Sequence, residues 1–157
     1  MSRPIQGGTQ ANYTGTVLEK FIQDRLIERG YLFLHSKQFK PAQYLEQPIY
    51  SRRYYVGMNL YETELYCDFI LYHPEKWPKG LIIESKWQQV GGSVDEKFPF
   101  LVLNIQYKYP CDTIVLLDGG GYRKGAEKWL RGQSGNGNLK HVFSMAEFQK
   151  WVNQGHV

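Results

Sequence analysis

Two short apolar runs that each carry charged residues constrain this chain more than any other feature. The first run covers residues 65–72 and contains Asp68, and the second covers residues 80–87 and contains Glu84 and Lys86. Their length, their β-branched and aromatic side chains and the prolines and glycine that bound them predict two buried strands. Because a charge inside a buried strand is costly unless it is paired or binds a metal, these three residues are candidates for a functional site.

The spacing of the three charges predicts that they meet. Side chains alternate between the two faces of a strand, so Glu84 and Lys86 share one face while Ser85 points to the other. If the two strands are neighbours in one sheet, Asp68 lies close to both of them. Two carboxylates form an oxygen site that suits Mg²⁺, and a lysine beside it can orient or activate a water molecule.

Asp68, followed sixteen residues later by Glu84-Ser85-Lys86, resembles the motif of the PD-(D/E)xK nuclease superfamily. The resemblance covers roughly residues 14–153 and implies a restriction-endonuclease-like α/β fold, a mixed β-sheet flanked by α-helices. It implies that Asp68 and Glu84 bind the metal, that the main-chain carbonyl of Ser85 adds a ligand, and that Lys86 positions or deprotonates the attacking water. The implied cofactor is Mg²⁺, with Mn²⁺ able to replace it.

Three further residues are candidates for the same site. Glu19 shares the core side of the first predicted helix with Ile22 and Leu26, and the resemblance implies that a glutamate there joins the metal shell. Gln88 continues the alternation of the second strand, and the resemblance implies contact with substrate phosphate or water. Lys97 lies near the start of the next helix, where a cation can meet a phosphate. The alternatives are an ion-paired surface glutamate, a polar strand end and a solvated lysine.

Residues 37–65 form a stretch that we interpret as a DNA-binding insertion. It combines positive charges for phosphates with aromatic side chains that can reach sugars or base edges. The candidate residues for DNA contact are Lys37, Lys40, Arg52, Arg53, Tyr54 and Tyr55. The three glutamates of the stretch, Glu46, Glu62 and Glu64, offset most of its positive charge. A decorated hairpin without a partner is therefore the alternative.

The rest of the pattern predicts alternating helices and strands within one domain over residues 1–157. We expect a loose start over residues 1–12 and a helix capped by Thr14 or Thr16 that ends near Arg29. The other predicted elements are strands at 31–34, 51–56, 113–117 and 139–143, a turn at 57–59, a capping box at 93–96, and helices over about 99–107, 122–130 and after Ser144. The order α-β-β-β-β-α-β-α-β-α predicts a mixed sheet flanked by helices.

Composition limits the setting in which the chain works. The net charge of +4 favours an anionic partner without resembling a histone-like tail. No apolar stretch approaches 18 residues and no secretory signal is recognisable, so we expect a cytoplasmic protein without a membrane partner. Cys67, which replaces the usual proline of the motif, and Cys111 are then expected to be buried thiols. The glycines at 119–121 lack a phosphate-binding context, so no nucleotide cofactor is expected.

These features together predict a Mg²⁺-dependent DNA endonuclease. A restriction or homing enzyme fits best, because residues 37–65 exceed what a minimal junction resolvase needs. A Holliday-junction resolvase is the alternative, and a non-catalytic DNA-binding domain with the same fold is an alternative of another class. Two cuts require two sites, so a homodimer or a higher symmetric homo-oligomer is expected.

Overall fold

The computed structural model describes residues 7–88 and 90–157, and these residues build one six-stranded sheet with helices on both faces. The strands are β1 (Leu32–Phe33), β2 (Ile49–Met58), β3 (Glu64–His73), β4 (Trp77–Trp87), β5 (Asp112–Asp118) and β6 (Leu139–Phe143). The helices are α1 (Gly7–Glu28), α2 (Ser36–Ala42), α3 (Phe98–Tyr107), α4 (Lys124–Gly132) and α5 (Met145–Asn153). Two short 3₁₀ segments lie at Gln43–Leu45 and Asp95–Lys97.

The strands follow one another across the sheet in chain order. β3 pairs antiparallel with both of its neighbours, β2 and β4. The other pairs, β1 with β2, β4 with β5 and β5 with β6, are parallel. The mixture follows from the connections, because the antiparallel strands are joined by short turns while α3 and α4 carry the chain between parallel strands. The structure confirms the predicted α/β class with a mixed sheet.

Strand alternation divides the core into two layers. Leu81 and Ile83 of β4 face the layer that contains the apolar residues of α1 and α5, among them Leu18 and Phe148. Ile82, between them, faces the opposite layer, which contains residues of α3 and α4. The central strands are therefore apolar on both faces, as expected for strands covered by helices on each side.

Several predicted elements are confirmed, most clearly the last helix. The hydroxyl of Ser144 accepts a hydrogen bond from the N–H of Glu147 at 3.2 Å, and the carboxylate of Glu147 accepts one from the N–H of Ser144 at 3.1 Å. This reciprocal cap satisfies two main-chain donors at the start of α5. β6 has the predicted bounds, and β3, β4 and β5 extend their predicted runs by a few residues at most.

The start of the chain and the segment before β2 differ from the prediction. α1 begins at Gly7, so Thr14 and Thr16 lie within the helix and do not cap it. Residues 7–13 contain no proline, so the helix can extend through them. Residues 1–6 of the predicted loose start lie outside the described residues. α2 was not predicted, since it is short and contains Pro41, which normally signals a break.

Two further local predictions are wrong. The segment 93–96 does not form a capping box, since the chain makes a 3₁₀ turn over Asp95–Lys97 whose N-cap position is occupied by Val94, without a side-chain cap. The predicted turn at 57–59 is displaced because β2 continues to Met58, and the chain reverses over residues 59–63. There the side-chain oxygen of Asn59 accepts hydrogen bonds from the N–H groups of Tyr61 and Thr63.

Candidate active site

The candidate site forms where β3 and β4 stop pairing. The last residues that face each other in register are Phe69 and Ile83. Beyond them the carboxylate of Asp68 accepts a hydrogen bond from the N–H of Ser85 at 2.8 Å and a second from its hydroxyl at 3.3 Å. A side chain therefore replaces the neighbouring main chain as the partner of β4, and a gap opens in the sheet at this point.

A change of face in β2 accompanies this gap. The guanidinium of Arg52 lies 5.1 Å from the centre of the Phe69 ring, on the side of the sheet covered by α1. Tyr54, two residues later, packs on the opposite side, with its ring centre 5.3 Å from that of Phe39. Residues two apart on a regular strand share a face, so the strand turns over at Arg53, whose φ of 48° is left-handed.

β3 changes face at the matching position. Cys67 belongs to the core layer beneath α3, whereas Phe69 belongs to the layer beneath α1. Because β2 and β3 pair Arg52 with Phe69 and Tyr54 with Cys67, the two turning points, Arg53 and Asp68, lie opposite each other. The kink in β2, its change of face at Arg53, thus lies opposite Asp68, the residue that leaves the regular pairing to contact Ser85 of β4.

Glu84 is the buried acid of the site. Its side chain is only 4% exposed, and Tyr109 donates a hydrogen bond from its hydroxyl to Oε1 at 2.6 Å. The ammonium of Lys86 lies 3.6 Å from Oε2. Burial, reinforced by the nearby carboxylate of Asp68 and only partly offset by Lys86, raises the pKa of Glu84 to about 8. Two acids are thus held close together in a place where a cation would relieve their repulsion.

Lys86 is surrounded by acids. Burial acts to lower its pKa, but the attractions of Glu84, Asp68 and Glu19 outweigh burial and raise the pKa above the ordinary value of a lysine. The main-chain carbonyl of Lys86 accepts a hydrogen bond from the hydroxyl of Tyr122 at 2.7 Å, which anchors the end of β4 on the α4 side. The side chain is 30% exposed and lines the cleft described below.

The donor set fits a hard divalent cation. Asp68 and Glu84 supply carboxylate oxygens, which Mg²⁺ prefers. On a β-strand the N–H and the C=O of one residue point to the same side of the strand. The N–H of Ser85 donates to Asp68 on β3, so the carbonyl of Ser85 also faces the gap between β3 and β4. Among the described residues no group of three or more His, Cys, Asp or Glu side chains is placed to hold a metal. The fit therefore rests on two carboxylates and a main-chain oxygen.

A cleft of about 350 Å³ opens beside these residues. Asp68, Glu84 and Lys86 lie along it, and Lys97, at the end of the 3₁₀ segment before α3, lines it as well. The sequence placed Lys97 only near the start of a helix. The structure brings it to the same cleft as the acids, where its charge can meet a phosphate.

Glu19 is held by Arg52. The carboxylate of Glu19, on α1, forms an ion pair with the guanidinium of Arg52, and both side chains are partly buried. Glu19 is also near enough to contribute to the raised pKa of Lys86. The arrangement matches the ion-paired alternative for Glu19 and leaves a role in the metal shell as a prediction. It also gives Arg52, a candidate for DNA contact, a partner within the protein.

Gln88 holds two loops together. Its amide nitrogen donates to the carbonyl of Gly121 at 2.8 Å, and its amide oxygen accepts from the N–H groups of Val94 at 3.0 Å and Asp95 at 3.3 Å. Gly119 packs so closely on the main chain of Gln88 that a side chain at this glycine would clash. Gln88 is buried and is not among the residues that line the cleft, so its predicted contact with substrate stays a prediction.

The candidate DNA contacts do not form one surface. Lys37 and Lys40 belong to α2, and Lys37 lines a second cleft beside β1. Tyr54 packs into the core, whereas Arg53 and Tyr55 are exposed. Tyr55 meets Tyr66 edge to face at 5.6 Å, and Tyr66 lines the cleft of the acids. Of the two tyrosines proposed for DNA contact, Tyr55 is thus the exposed one, and it contacts a residue that lines this cleft.

Two residues of the site were not predicted from the sequence. Tyr109 binds Glu84, and Asn104 accepts a hydrogen bond from the N–H of Leu60 at 2.9 Å, which ties the β2–β3 turn to α3. With twelve tyrosines in the chain, nothing in the sequence distinguishes Tyr109. For Asn104 a signal existed, because a polar residue within the apolar helix segment 98–105 implies a specific hydrogen bond.

Comparison with known families agrees with this geometry. The fold, a mixed sheet with helices on both faces, is consistent with that of a nuclease domain, and two acids and a lysine lie at the gap between two of its central strands. A family model described as a PD-(D/E)XK nuclease superfamily domain matches residues 10–156, and the chain belongs to this superfamily. No curated protein and no solved structure gives a significant match. In the described residues no helix has the length and apolar character needed to cross a membrane.

Proposed function

We propose that this chain is a Mg²⁺-dependent DNA endonuclease in which Asp68 and Glu84, with the carbonyl of Ser85, hold the metal. The single observation that carries the proposal is the juxtaposition of the two carboxylates with Lys86 in one cleft. When bound, the cation would polarise the scissile phosphate and stabilise the negative charge that develops on it. Mn²⁺ has the same preference for oxygen ligands and can take its place.

The residues of the chain have distinct roles in this proposal. Tyr109 fixes the orientation of Glu84 through its hydrogen bond, and Ser85 fixes Asp68. Lys86 positions the attacking water and places a positive charge beside the phosphate that is cleaved. Lys97 binds a phosphate of the same strand from the other side of the cleft. Glu19, held by Arg52, adjusts the charge around Lys86.

The accessory segment supports one type of endonuclease over the other. Residues 37–65 supply α2 and an extended β2–β3 arm whose Arg53 and Tyr55 are exposed, which favours a restriction or homing enzyme that reads sequence. A Holliday-junction resolvase is the second candidate, favoured by the glutamate on α1 close to Lys86. A symmetric homodimer is proposed for either one, because cutting both strands requires two sites.

Cleavage of three substrates tests the function and separates its two forms. The protein is incubated with plasmid, linear duplex and a four-way junction, each with Mg²⁺ and with EDTA. We expect metal-dependent cleavage that Asp68→Asn and Glu84→Gln abolish, whereas Asp112→Asn, a carboxylate paired with Lys140 at the surface, retains wild-type activity. Specific cutting of duplex indicates a restriction or homing enzyme, and a preference for the junction indicates a resolvase. Cleavage that survives in both site variants would refute the proposed site.

A further inference from the structure

The cleft beside the acids has one charged end and apolar walls. Asp68, Glu84, Lys86 and Lys97 account for the charge. The walls are built from Leu65 and Tyr66 on β3 and from residues that precede or belong to α3, namely Val94, Phe98, Phe100 and Leu101. A phosphate gains nothing from such walls, whereas the flat face of a nucleobase stacks on aromatic side chains.

The wall on the α3 side is held by contacts within the protein. The side chain of Asn104 accepts a hydrogen bond from the N–H of Leu60 and donates one to the carbonyl of Phe100 at 3.0 Å, which joins the β2–β3 turn to α3. At the outer end of this junction the rings of Tyr61 and Phe100 stack, with centres 4.6 Å apart and planes inclined by 25°. The α3 wall of the cleft, which we call the slot, is therefore tied to the β2–β3 turn in the structure without substrate.

The size of the slot limits what it can hold. A volume of about 350 Å³ lies at the small end of the range for ligand pockets, about 300–1,000 Å³. One nucleotide fits such a space and a base-paired duplex does not. Because the charged end is the proposed site of cleavage, the nucleotide in the slot is the one that carries the scissile phosphate or its neighbour.

We infer that the enzyme takes a nucleotide out of the base stack and inserts its base between β3 and α3. The inference rests on the proposed function and specifies its substrate class, DNA in which the nucleotide at the cleavage position is unpaired. Single strands, mismatches and bulges meet this requirement directly. A perfect duplex must first lose a base pair there, which costs a few kcal/mol and slows the reaction accordingly.

A series of oligonucleotides of one sequence tests the inference. The scissile phosphate is mapped on the single strand, and kcat/KM is then measured with Mg²⁺ for the single strand, the perfect duplex and a duplex with one unpaired nucleotide at that position. We expect the single strand and the interrupted duplex to be cleaved about tenfold faster or more than the perfect duplex. Equal or faster cleavage of the perfect duplex would overturn the inference.

Two variants connect this preference to the slot. Leu101→Trp fills the slot and should reduce the preference for unpaired DNA to about one, while Ca²⁺ binding measured by calorimetry stays unchanged. Phe100→Ala removes one stacking wall and should act in the same direction, which preserves the test if the tryptophan variant does not fold. Tyr107→Ala, an exposed residue of the same helix, is the control and should retain the preference. A wild-type preference in both slot variants would refute the inference.

Binding measurements separate this inference from the proposed function. Dissociation constants for the three oligonucleotides are measured by fluorescence anisotropy in Ca²⁺, which prevents turnover. If no DNA is cleaved with Mg²⁺ or Mn²⁺, the proposed function fails. In that case the inference is still supported if the wild type binds the unpaired nucleotide more tightly and Leu101→Trp abolishes this preference. Equal dissociation constants for all three oligonucleotides refute the inference.

Discussion

The carboxylate of Asp68 accepts a hydrogen bond from the main-chain N–H of Ser85 at 2.8 Å. In a continuous sheet this N–H would pair with a carbonyl on β3, but the described pairing of β3 and β4 ends at Phe69 and Ile83. One side chain therefore satisfies a strand donor and supplies charge to the candidate site. The stability of the sheet and the composition of the site are coupled through this contact, and suitable substitutions separate them.

Asp68→Asn should retain the fold and lose metal binding. An asparagine can still accept the hydrogen bond of Ser85 through its side-chain oxygen, and its neutral charge removes the repulsion with Glu84. Asp68→Ala leaves the Ser85 N–H without this acceptor and should lower the free energy of unfolding by about 1–3 kcal/mol. Urea unfolding and Ca²⁺ calorimetry measure the two effects. Equal stabilities of the two variants would show that the Ser85 contact contributes nothing.

Tyr109→Phe should weaken metal binding without a change in the charge of the site. The hydroxyl of Tyr109 donates to Glu84 at 2.6 Å, and its removal leaves a buried carboxylate oxygen with one partner fewer. We expect a loss of about 1–3 kcal/mol of stability and a lower Ca²⁺ affinity because Glu84 is no longer oriented. Tyr107→Phe, on the exposed side of α3, is the matched control. Unchanged Ca²⁺ affinity in Tyr109→Phe would refute the orienting role.

Local rules of strand structure predict the meeting of Asp68, Glu84 and Lys86 from the sequence. Alternation within β4 and the pairing of consecutive strands by a short turn suffice to bring these three residues together. The contact between Tyr109 and Glu84 lies beyond such rules, because it depends on where the chain emerges after α3. The roles of Asp68, Glu84 and Lys86 in catalysis remain predictions.

The face change at Arg53 and Asp68 was hidden for a different reason. In a sequence, mainly glycine or asparagine indicates a left-handed conformation, and an arginine does not.

Gln88 shows the limit of alternation at a strand end. β4 ends at Trp87, and beyond it the amide of Gln88 is drawn into the loops that contain Val94 and Gly121.

Arg53→Gly should stabilise the protein or leave its stability unchanged, whereas Arg53→Val should destabilise it. Glycine adopts a φ of 48° without steric cost, but a β-branched residue there is strained by roughly 1–3 kcal/mol. If the kink is what turns Asp68 out of the ladder, Ca²⁺ affinity should survive in the glycine variant and fall in the valine variant. A valine variant as stable as the wild type would show that the left-handed conformation is not required.

Arg52 and Arg53 should differ in their effects on DNA binding. Arg53 is exposed and free to contact a phosphate, so Arg53→Ala should reduce the slope of log K against log salt by about 1. Arg52 is paired with Glu19 and stacked on Phe69, so Arg52→Ala should mainly destabilise the fold, by about 1 kcal/mol. Salt titrations of DNA binding in Ca²⁺ and urea unfolding measure both. A larger change of slope in Arg52→Ala than in Arg53→Ala would reverse the assignment.

Lys86→Ala should affect the rate of cleavage far more than the affinity for DNA. Its ammonium lies 3.6 Å from the carboxylate of Glu84, at the charged end of the cleft, where it can orient water and stabilise charge in the transition state. We expect the single-turnover rate to fall by about 10²–10⁴-fold. DNA affinity in Ca²⁺ should change by less than about tenfold, or about 1.4 kcal/mol.

Lys97→Ala is the comparison for Lys86→Ala, because Lys97 lines the same cleft without a short contact to either acid in the described structure. This substitution should weaken binding and rate together. If Lys86→Ala instead loses affinity in proportion to rate, this lysine is a phosphate anchor and another group must position the water.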